Sequence, residues 1–151
     1  MKNLLIVDDE KLLVTNMSII LQPHASEIFH ASNGKEGLEV LQKEVVHCVI
    51  CDISMPVMSG VEFIRESRQQ GINVPFIFYS AYGSQELMME VAQYGAFDFL
   101  RKPDFIDLER VVVNGLTEGF QRLNKVPNSS NAFLSEYQIL LDKLNQQTKK
   151  V

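Results

Sequence analysis

The chain has 151 residues, enough for one domain with its own core, and its hydrophobic fraction of 46% is ordinary for a globular protein. Its net charge of -5 argues against nucleic-acid or anionic-membrane binding, because both require clustered lysine and arginine. No apolar run reaches the roughly 20 residues of a membrane span, and acidic residues follow the first apolar run too soon for a signal peptide. We therefore expect a cytoplasmic protein whose partners are proteins or cations.

Short apolar runs alternate along the chain with apolar residues at helical spacing, which indicates strands that alternate with helices. The predicted strands cover residues 3–7, 27–31, 46–51, 74–79 and 96–100. Three polar residues are placed to cap helices, namely Asn33, Ser84 and Asp104. The alternation predicts right-handed crossovers and a parallel sheet with helices on both faces. We expect a flavodoxin-like, doubly wound α/β fold with five helices and five strands in the order 2-1-3-4-5.

Polar side chains follow four of the five predicted strands. They are Asp8 and Asp9 after the first strand, Asp52 after the third, Ser80 after the fourth and Lys102 after the fifth. In this strand order the first and third strands are neighbours at the switch point, where ligands bind beyond the carboxyl ends of the strands. Carboxylates that converge there repel one another unless a cation joins them, so we predict a Mg²⁺ site with Asp9 and Asp52 as direct ligands. A carboxylate can also attack phosphorus when a metal and a second cation neutralise the transferring group, and Lys102 would supply that cation.

These motifs resemble the receiver domain of two-component response regulators. The matching features are the acid pair Asp8-Asp9, the segment Asp-Ile-Ser-Met-Pro-Val-Met-Ser-Gly at 52–60, Ser80 with Ala81, and Lys102-Pro103 preceded by Phe99. Together they cover roughly residues 2–123. The resemblance implies that Asp52 accepts a phosphoryl group from the phosphohistidine of a histidine kinase or phosphotransfer protein. It implies a signalling protein that catalyses only its own phosphorylation and dephosphorylation.

The resemblance also implies how the metal is held. Mg²⁺ would be bound by Asp9, Asp52 and the carbonyl of Ser54, while Asp8 would act through water. Lys102 would face the phosphoryl group and not the ion.

A switch pair, Ser80 and Phe99, is implied as well, in which the hydroxyl moves toward the phosphate and the ring turns inward. The chain has serine where threonine is frequent and phenylalanine where tyrosine is frequent, so the ring has no hydroxyl to fix its position. A cis peptide bond is implied before Pro103. We also predict that Tyr82 and Ser54, each two residues beyond a site residue, screen an acyl phosphate from water.

Three alternative interpretations compete with this one. A phosphatase of the haloacid dehalogenase type would need a second acid two residues after Asp52, where Ser54 stands. A dinucleotide- or flavin-binding module would need a glycine-rich turn after the first strand, where acidic residues stand. A receiver-like docking module that is never phosphorylated would usually lack one of the acids or the lysine, and all are present. The docking module and a Mg²⁺-dependent acyl-phosphate hydrolase stay open as alternatives.

The C-terminal residues indicate which kind of output the protein uses. We predict a receiver domain at 1–124, a linker at 125–131 and a C-terminal helix at 132–148. One face of that helix carries the apolar residues Phe133, Leu134, Tyr137, Leu140, Leu141 and Leu144. A helix this short needs a surface to pack on, either its own domain or a second chain in a homodimer. Because the tail is too short for a DNA-binding domain, we expect signalling to an unidentified protein target and no contact with nucleic acid.

Overall fold

The computed structural model describes residues 1–81, 83–124 and 140–144. Its strands are β1 (Asn3–Val7), β2 (Glu27–Ala31), β3 (Cys48–Cys51), β4 (Phe76–Ser80) and β5 (Asp98–Arg101). Its helices are α1 (Lys11–Leu21), α2 (Gly34–Lys43), α3 (Gly60–Gln69), α4 (Gln85–Gln93) and α5 (Phe105–Asn124). A one-turn 3-10 helix, Gln22–His24, follows α1. None of the helices described is long and apolar enough to cross a membrane.

The five strands form one parallel sheet in the order β2-β1-β3-β4-β5, which confirms the predicted flavodoxin-like fold. The three central strands β1, β3 and β4 are buried along their whole length, whereas the edge strands β2 and β5 are partly exposed. Strands buried on both faces are typical of parallel sheets covered by helices on each side.

Alternate residues of each central strand point to opposite faces and build two cores. On one face Leu5 and Val7 of β1 join side chains of α2, α3 and α4. On the other face Leu4 and Ile6 join side chains of α1 and α5. The sheet is therefore held from both sides, and its carboxyl edge is free to carry polar groups.

Side-chain caps fix where four of the helices begin. The predicted caps are confirmed, because oxygens of Asn33, Ser84 and Asp104 accept hydrogen bonds of 3.0, 3.1 and 3.0 Å from backbone N–H groups three residues ahead. Ser59 caps α3 in the same way at 3.2 Å, which had not been predicted.

The last three strands begin later than predicted, at residues 48, 76 and 98 and not at 46, 74 and 96. Val46 and Val74 are buried in the core although they precede their strands. Pro75 has no N–H to donate to a neighbouring strand, so strand pairing starts only after it. Apolar residues that are buried but not part of a strand explain why the predicted strands began too early.

The chain divides into two compact units, Met1–Phe120 and Gln121–Val151. The sheet, α1 to α4 and α5 up to Phe120 belong to the first unit, and the last four residues of α5 fall in the second. In the second, residues 140–144 are helical and lie inside the predicted C-terminal helix. The predicted linker at 125–131 and the rest of that helix lie outside the described residues.

Candidate functional site

Three charged residues stand directly beyond the carboxyl ends of β1, β3 and β5. The backbone N–H groups of Asp8, Asp52 and Lys102 each donate one further sheet-like hydrogen bond to the adjacent strand, at 3.0, 3.0 and 3.1 Å. Their backbones are therefore fixed by the sheet and not by a loop alone. This explains how residues far apart in sequence reach one place with a defined geometry.

The ammonium group of Lys102 lies among three carboxylates. Its Nζ is 2.9 Å from Oδ2 of Asp8, 3.0 Å from Oε1 of Glu10 and 3.1 Å from Oδ2 of Asp52. Asp8 and Asp52 are buried, the side chain of Lys102 is 9% exposed and that of Glu10 is 62% exposed. One cation shared by three acids leaves an excess of negative charge at this edge of the sheet.

Burial and charge act in opposite directions on the pKa values of this cluster. Burial alone lowers the pKa of Lys102, but hydrogen bonds to Asp8 and Glu10 and the charges of Asp8 and Asp52 outweigh it and raise the pKa well above its usual range. Burial raises the pKa of Asp8, although the N–H of Glu10 and the ammonium of Lys102 oppose that shift. Lys102 therefore stays charged, and Asp8 would be stabilised as a carboxylate by a further cation.

The acidic cluster has the ligand chemistry of a hard divalent cation. One oxygen each from Asp8, Glu10 and Asp52 lies within 4.8 Å of the other two, the one such group found among the described residues. Carboxylate oxygens are the ligands that Mg²⁺ prefers, and one or two of them suffice when water and phosphate complete the shell. The residues present thus fit a magnesium ion.

Glu10, and not Asp9, completes this cluster. Asp9 lines an adjoining groove together with Ser54. Glu10 was not among the predicted site residues, although it belongs to the run of three acids that follows β1. The chain bends at Asp9, and the N–H of Glu10 donates to Oδ1 of Asp8 at 3.0 Å, so an acid two residues after Asp8 in such a turn is the signal that could have identified Glu10.

The loop between β3 and α3 folds back onto Asp52. Oδ1 of Asp52 accepts a 2.7 Å hydrogen bond from the N–H of Ile53, and the N–H of Gly60 donates to the Ile53 carbonyl at 2.8 Å. A Cβ at Gly60 would collide with the Asp52 carbonyl, so only glycine allows α3 to begin this close to the acid. Asp52 is therefore held by its own loop as well as by β3.

The predicted switch residues lie on the strands next to the cluster. Ser80 is the last residue of β4 and is buried. Phe99 of β5 is half-buried and stacks on Phe78, with ring centroids 6.3 Å apart and an interplanar angle of 26°. The Lys102-Pro103 peptide bond is cis. Tyr82 lies outside the described residues.

The fold and this strand-end cluster define a flavodoxin-like α/β domain with a lysine–carboxylate site, and comparison with known proteins gives its family. The family model of the response regulator receiver domain matches residues 4–113. The chain belongs to the response regulator receiver domain family.

Among curated proteins, the chain is similar to larger regulators. It is 31% identical over 126 residues to the transcriptional regulatory protein ZraR of Klebsiella oxytoca, covering 83% of this chain and 28% of that protein. It is 35% identical over 101 residues to the transcriptional regulatory protein GlrR of Escherichia coli, covering 67% of this chain and 23% of that protein. The chain thus spans less than a third of the length of either relative.

Solved structures agree with the family. A CheY-like receiver domain protein from Methanospirillum hungatei superimposes with a TM-score of 0.74 at 26% identity, covering 81% of this chain and 98% of that one. A receiver domain protein from Clostridium thermocellum does so with a TM-score of 0.72 at 26% identity, covering 83% and 100%. Both similarities cover more than four fifths of this chain.

Proposed function

We propose that Asp52 accepts a phosphoryl group from a phosphohistidine on a histidine kinase or phosphotransfer protein. The observation that carries this proposal is the position of Asp52, a buried carboxylate at the end of a central strand with Nζ of Lys102 only 3.1 Å from its Oδ2. Its carboxylate oxygen attacks phosphorus, an O–P bond forms, and the P–N bond to the imidazole breaks with its electron pair going to that nitrogen. The ammonium of Lys102 then pairs with the charge on the phosphoryl oxygens.

We propose that Mg²⁺ supports this transfer, with Asp9, Asp52 and the Ser54 carbonyl as ligands and Asp8 acting through water. Glu10 is paired with Lys102, whereas Asp9 shares a groove with Ser54, so Asp9 is the acid of the two that the lysine leaves available. When bound, the ion would neutralise charge on the phosphoryl oxygens. The chain prepares its side of the site by fixing Asp8, whose Oδ1 accepts a 3.0 Å hydrogen bond from the N–H of Glu10. Two buried acids whose positions are set by backbone hydrogen bonds lower the cost of ordering ligands around an ion.

Intact-mass measurement with a small acyl-phosphate donor and Mg²⁺ tests this assignment. The native chain should gain one phosphoryl group, Asp52→Asn should gain none, and Asp9→Asn or removal of Mg²⁺ should slow uptake strongly. Glu39→Gln is a matched control, because Glu39 is an exposed acid on α2, away from the cluster. Phosphorylation of Asp52→Asn at the native rate would refute the proposal.

We further propose that the phosphodonor protein docks on an apolar rim around the cluster. The rim consists of Leu12 at the start of α1, Val57 in the β3–α3 loop and Ile106 at the start of α5, whose exposed fractions are 76%, 75% and 86%. Exposed apolar groups that surround a polar site are typical of protein-binding surfaces. Their position at the carboxyl edge would bring a phosphohistidine directly over Asp52.

Comparing a protein phosphodonor with a small acyl phosphate separates docking at the rim from the phosphoryl-transfer step itself. Leu12→Ala with Ile106→Ala should slow transfer from a histidine-phosphorylated phosphotransfer domain by about tenfold and leave uptake from a small acyl phosphate unchanged. Ile19→Ala is the control, since Ile19 is 66% exposed on α1 but two turns farther from the site. Equal slowing with both donors would contradict docking at the rim.

For output, we propose contact with a protein target and association through the C-terminal segment. Leu140, Leu141 and Leu144 are exposed on a helical stretch, with exposed fractions of 59%, 37% and 59%. A second copy of the chain would cover them, and burying each leucine contributes roughly 1.5–3 kcal/mol. Light scattering should give a dimer that Leu140→Glu with Leu144→Glu converts to monomer, whereas Lys143→Glu should leave it intact. A native monomer would refute this part.

A further inference from the structure

Glu10 differs from the other two acids that surround Lys102, because it is exposed and they are buried. The backbone N–H groups of Asp8 and Asp52 donate to β2 and β1 at 3.0 Å each, so the sheet fixes both residues. Glu10 immediately precedes α1 but makes no side-chain cap to that helix, and its carboxylate pairs with Nζ of Lys102 at 3.0 Å. Glu10 is therefore the acid that can leave the lysine most easily, since water can hydrate its carboxylate.

The ammonium of Lys102 has no donor to spare. It has three N–H groups, and three carboxylate oxygens lie at 2.9, 3.0 and 3.1 Å from its Nζ. A phosphoryl group on Asp52 would bring three further acceptor oxygens and up to about two negative charges. It would arrive from the exposed side of Lys102, which is the side that Glu10 occupies, because Asp8 is buried. Glu10 and the phosphoryl group therefore compete for the same ammonium.

We propose that Glu10 is a positioning residue that holds the ammonium of Lys102 until a phosphoryl group on Asp52 replaces it. The inference rests on the proposed phosphorylation of Asp52. During that step an oxygen of Asp52 forms the O–P bond, the bond from phosphorus to the leaving atom of the donor breaks, and the leaving atom keeps the electron pair. Lys102 then turns one N–H from Glu10 to a phosphoryl oxygen. Glu10 thus slows phosphoryl uptake and no longer holds Lys102 afterwards.

Glu10→Gln tests this exchange, because it keeps the shape of the side chain and removes its charge. At saturating Mg²⁺ we expect uptake from acetyl phosphate to be about twofold to fivefold faster, the range that an ion pair with an exposed partner accounts for. The lifetime of the phosphorylated chain should stay the same, since Glu10 has left Lys102 in that state. Faster uptake together with faster loss would indicate a loosened site and overturn the inference.

Three further variants separate the ion pair from a general effect of charge. Glu62→Gln is the matched control and should leave uptake unchanged, because Glu62 is an exposed acid in the first turn of α3 and is not part of the acidic cluster. Glu10→Asp keeps the charge but is one methylene group shorter, so it should hold Lys102 less well and speed uptake about twofold. In a Lys102→Met background, Glu10→Gln should change uptake little.

Two outcomes of this comparison would contradict the exchange. The native rate in Glu10→Asp, or the same gain from Glu10→Gln with and without Lys102, would show that the charge of Glu10 merely repels the donor. Circular dichroism establishes that every variant is folded.

An equilibrium measurement keeps this test independent of phosphoryl transfer. The probe is beryllium trifluoride, which binds a carboxylate oxygen in the tetrahedral shape of a phosphoryl group but is not transferred. At the same Mg²⁺ concentration Glu10→Gln should bind it about twofold to fivefold more tightly than the native chain, and Glu62→Gln should not. If the native chain binds the probe but takes up no phosphoryl group, the proposed function fails while the affinities still decide the inference. Equal affinities of Glu10→Gln and the native chain would refute it.

Discussion

Two cationic side chains, Arg68 and Lys102, lie at opposite edges of the sheet and bind different kinds of oxygen. Arg68 donates to neutral backbone carbonyls, and Lys102 pairs with carboxylates. At the amino edge, the guanidinium of Arg68 donates to four backbone carbonyls at 2.7, 2.8, 2.9 and 3.4 Å. These carbonyls belong to Tyr94, Ile72, Val74 and Gly95, which end helices or lead into β4 and β5. At the carboxyl edge, Lys102 meets three carboxylates.

The difference separates a structural cation from one in a binding site. Neutral carbonyls satisfy the donors of Arg68 and add no net charge that a ligand could answer, and its guanidinium also lies 5.2 Å from the ring centre of Phe76. The acids around Lys102 outnumber it, so their charge is balanced only when a second cation arrives. We conclude that the amino edge fixes the fold and that the carboxyl edge is prepared for a ligand.

The first prediction tests the structural half of the comparison. Arg68→Ala should lower the free energy of unfolding by about 2–3 kcal/mol, because four carbonyls lose a charged donor and two helix ends lose their link. Arg68→Lys should recover only part of this, since an ammonium cannot reach all four carbonyls. Urea titration measures the loss, and the folded fraction should still accept a phosphoryl group at the native rate. A loss below about 0.5 kcal/mol would show that the clamp is not structural.

The second prediction tests the binding half. Lys102→Met should leave the three carboxylates without their shared ammonium, so Mg²⁺ should bind about tenfold more tightly, while phosphoryl uptake should slow because the cation for the phosphoryl group is lost. The rise in melting temperature on adding Mg²⁺ reports the affinity. Lys35→Met is the control, because Lys35 is an exposed lysine on α2. If Mg²⁺ bound more weakly to Lys102→Met than to the control, the ammonium of Lys102 and Mg²⁺ would not compete for the same carboxylates.

Much of this comparison could be predicted from the sequence. Apolar periodicity predicted the elements, and the doubly wound class that their alternation indicates predicted the strand order. Strand ends predicted that Asp8, Asp52 and Lys102 meet, because parallel strands all end at the same edge. Both features depend on local patterns that survive in any parallel sheet.

Other features depend on geometry that the sequence does not encode locally. The clamp by Arg68 requires two chain segments to bring their carbonyls within reach, and no residue pattern around Arg68 indicates it. The close approach of the Phe99 ring to Gly83 depends on the path of the chain between β4 and α4. The contact of Glu10 with the same lysine as Asp8 and Asp52 depends on which way the chain turns after β1.

The third prediction sharpens the comparison by asking where strain is located. Val57, in the carboxyl-edge loop, is the one non-glycine residue with positive φ among those described, at 69°, and the N–H of Met58 donates to the Pro56 carbonyl across it at 2.7 Å. A β-branched residue in this conformation costs roughly 1–3 kcal/mol. Val57 is exposed, so Val57→Gly loses little burial and should stabilise the protein by about 1 kcal/mol.

The matched control for this strain lies at the other edge. Val45 is also exposed and lies in a loop, but its φ is not positive. Val45→Gly should therefore destabilise the protein slightly, through the greater freedom of the unfolded chain. Thermal unfolding of both variants measures the difference, and a loss of stability in Val57→Gly as large as that in Val45→Gly would mean that the loop is not strained.

The fourth and smallest effect concerns a buried group at the amino edge that must stay neutral. His47 is buried, and its Nδ1 accepts a 2.9 Å hydrogen bond from the N–H of Asn3. Burial lowers the pKa of His47, and the charges of the chain's amino terminus and of Lys2 lower it further. Protonation would place a hydrogen on Nδ1 and remove the acceptor that Asn3 uses.

The sign of the pH effect follows from this shift. The unfolded chain has an ordinary histidine, with a pKa of about 6.5, and so binds more protons than the folded chain just below that pH. Stability contributed by the neutral His47 is therefore full above about pH 6.5 and is lost as the pH falls toward the lowered pKa of the folded state.

His47→Gln removes the titrating group and keeps a side chain that can accept a hydrogen bond, so its unfolding free energy should fall less than that of the native chain between pH 7 and pH 5. His24→Gln, at a histidine that pairs with Glu109, is the control. Parallel pH profiles for native protein and His47→Gln would show that His47 titrates alike in both states, and the contrast between a neutral amino edge and a charged carboxyl edge would then not extend to this residue.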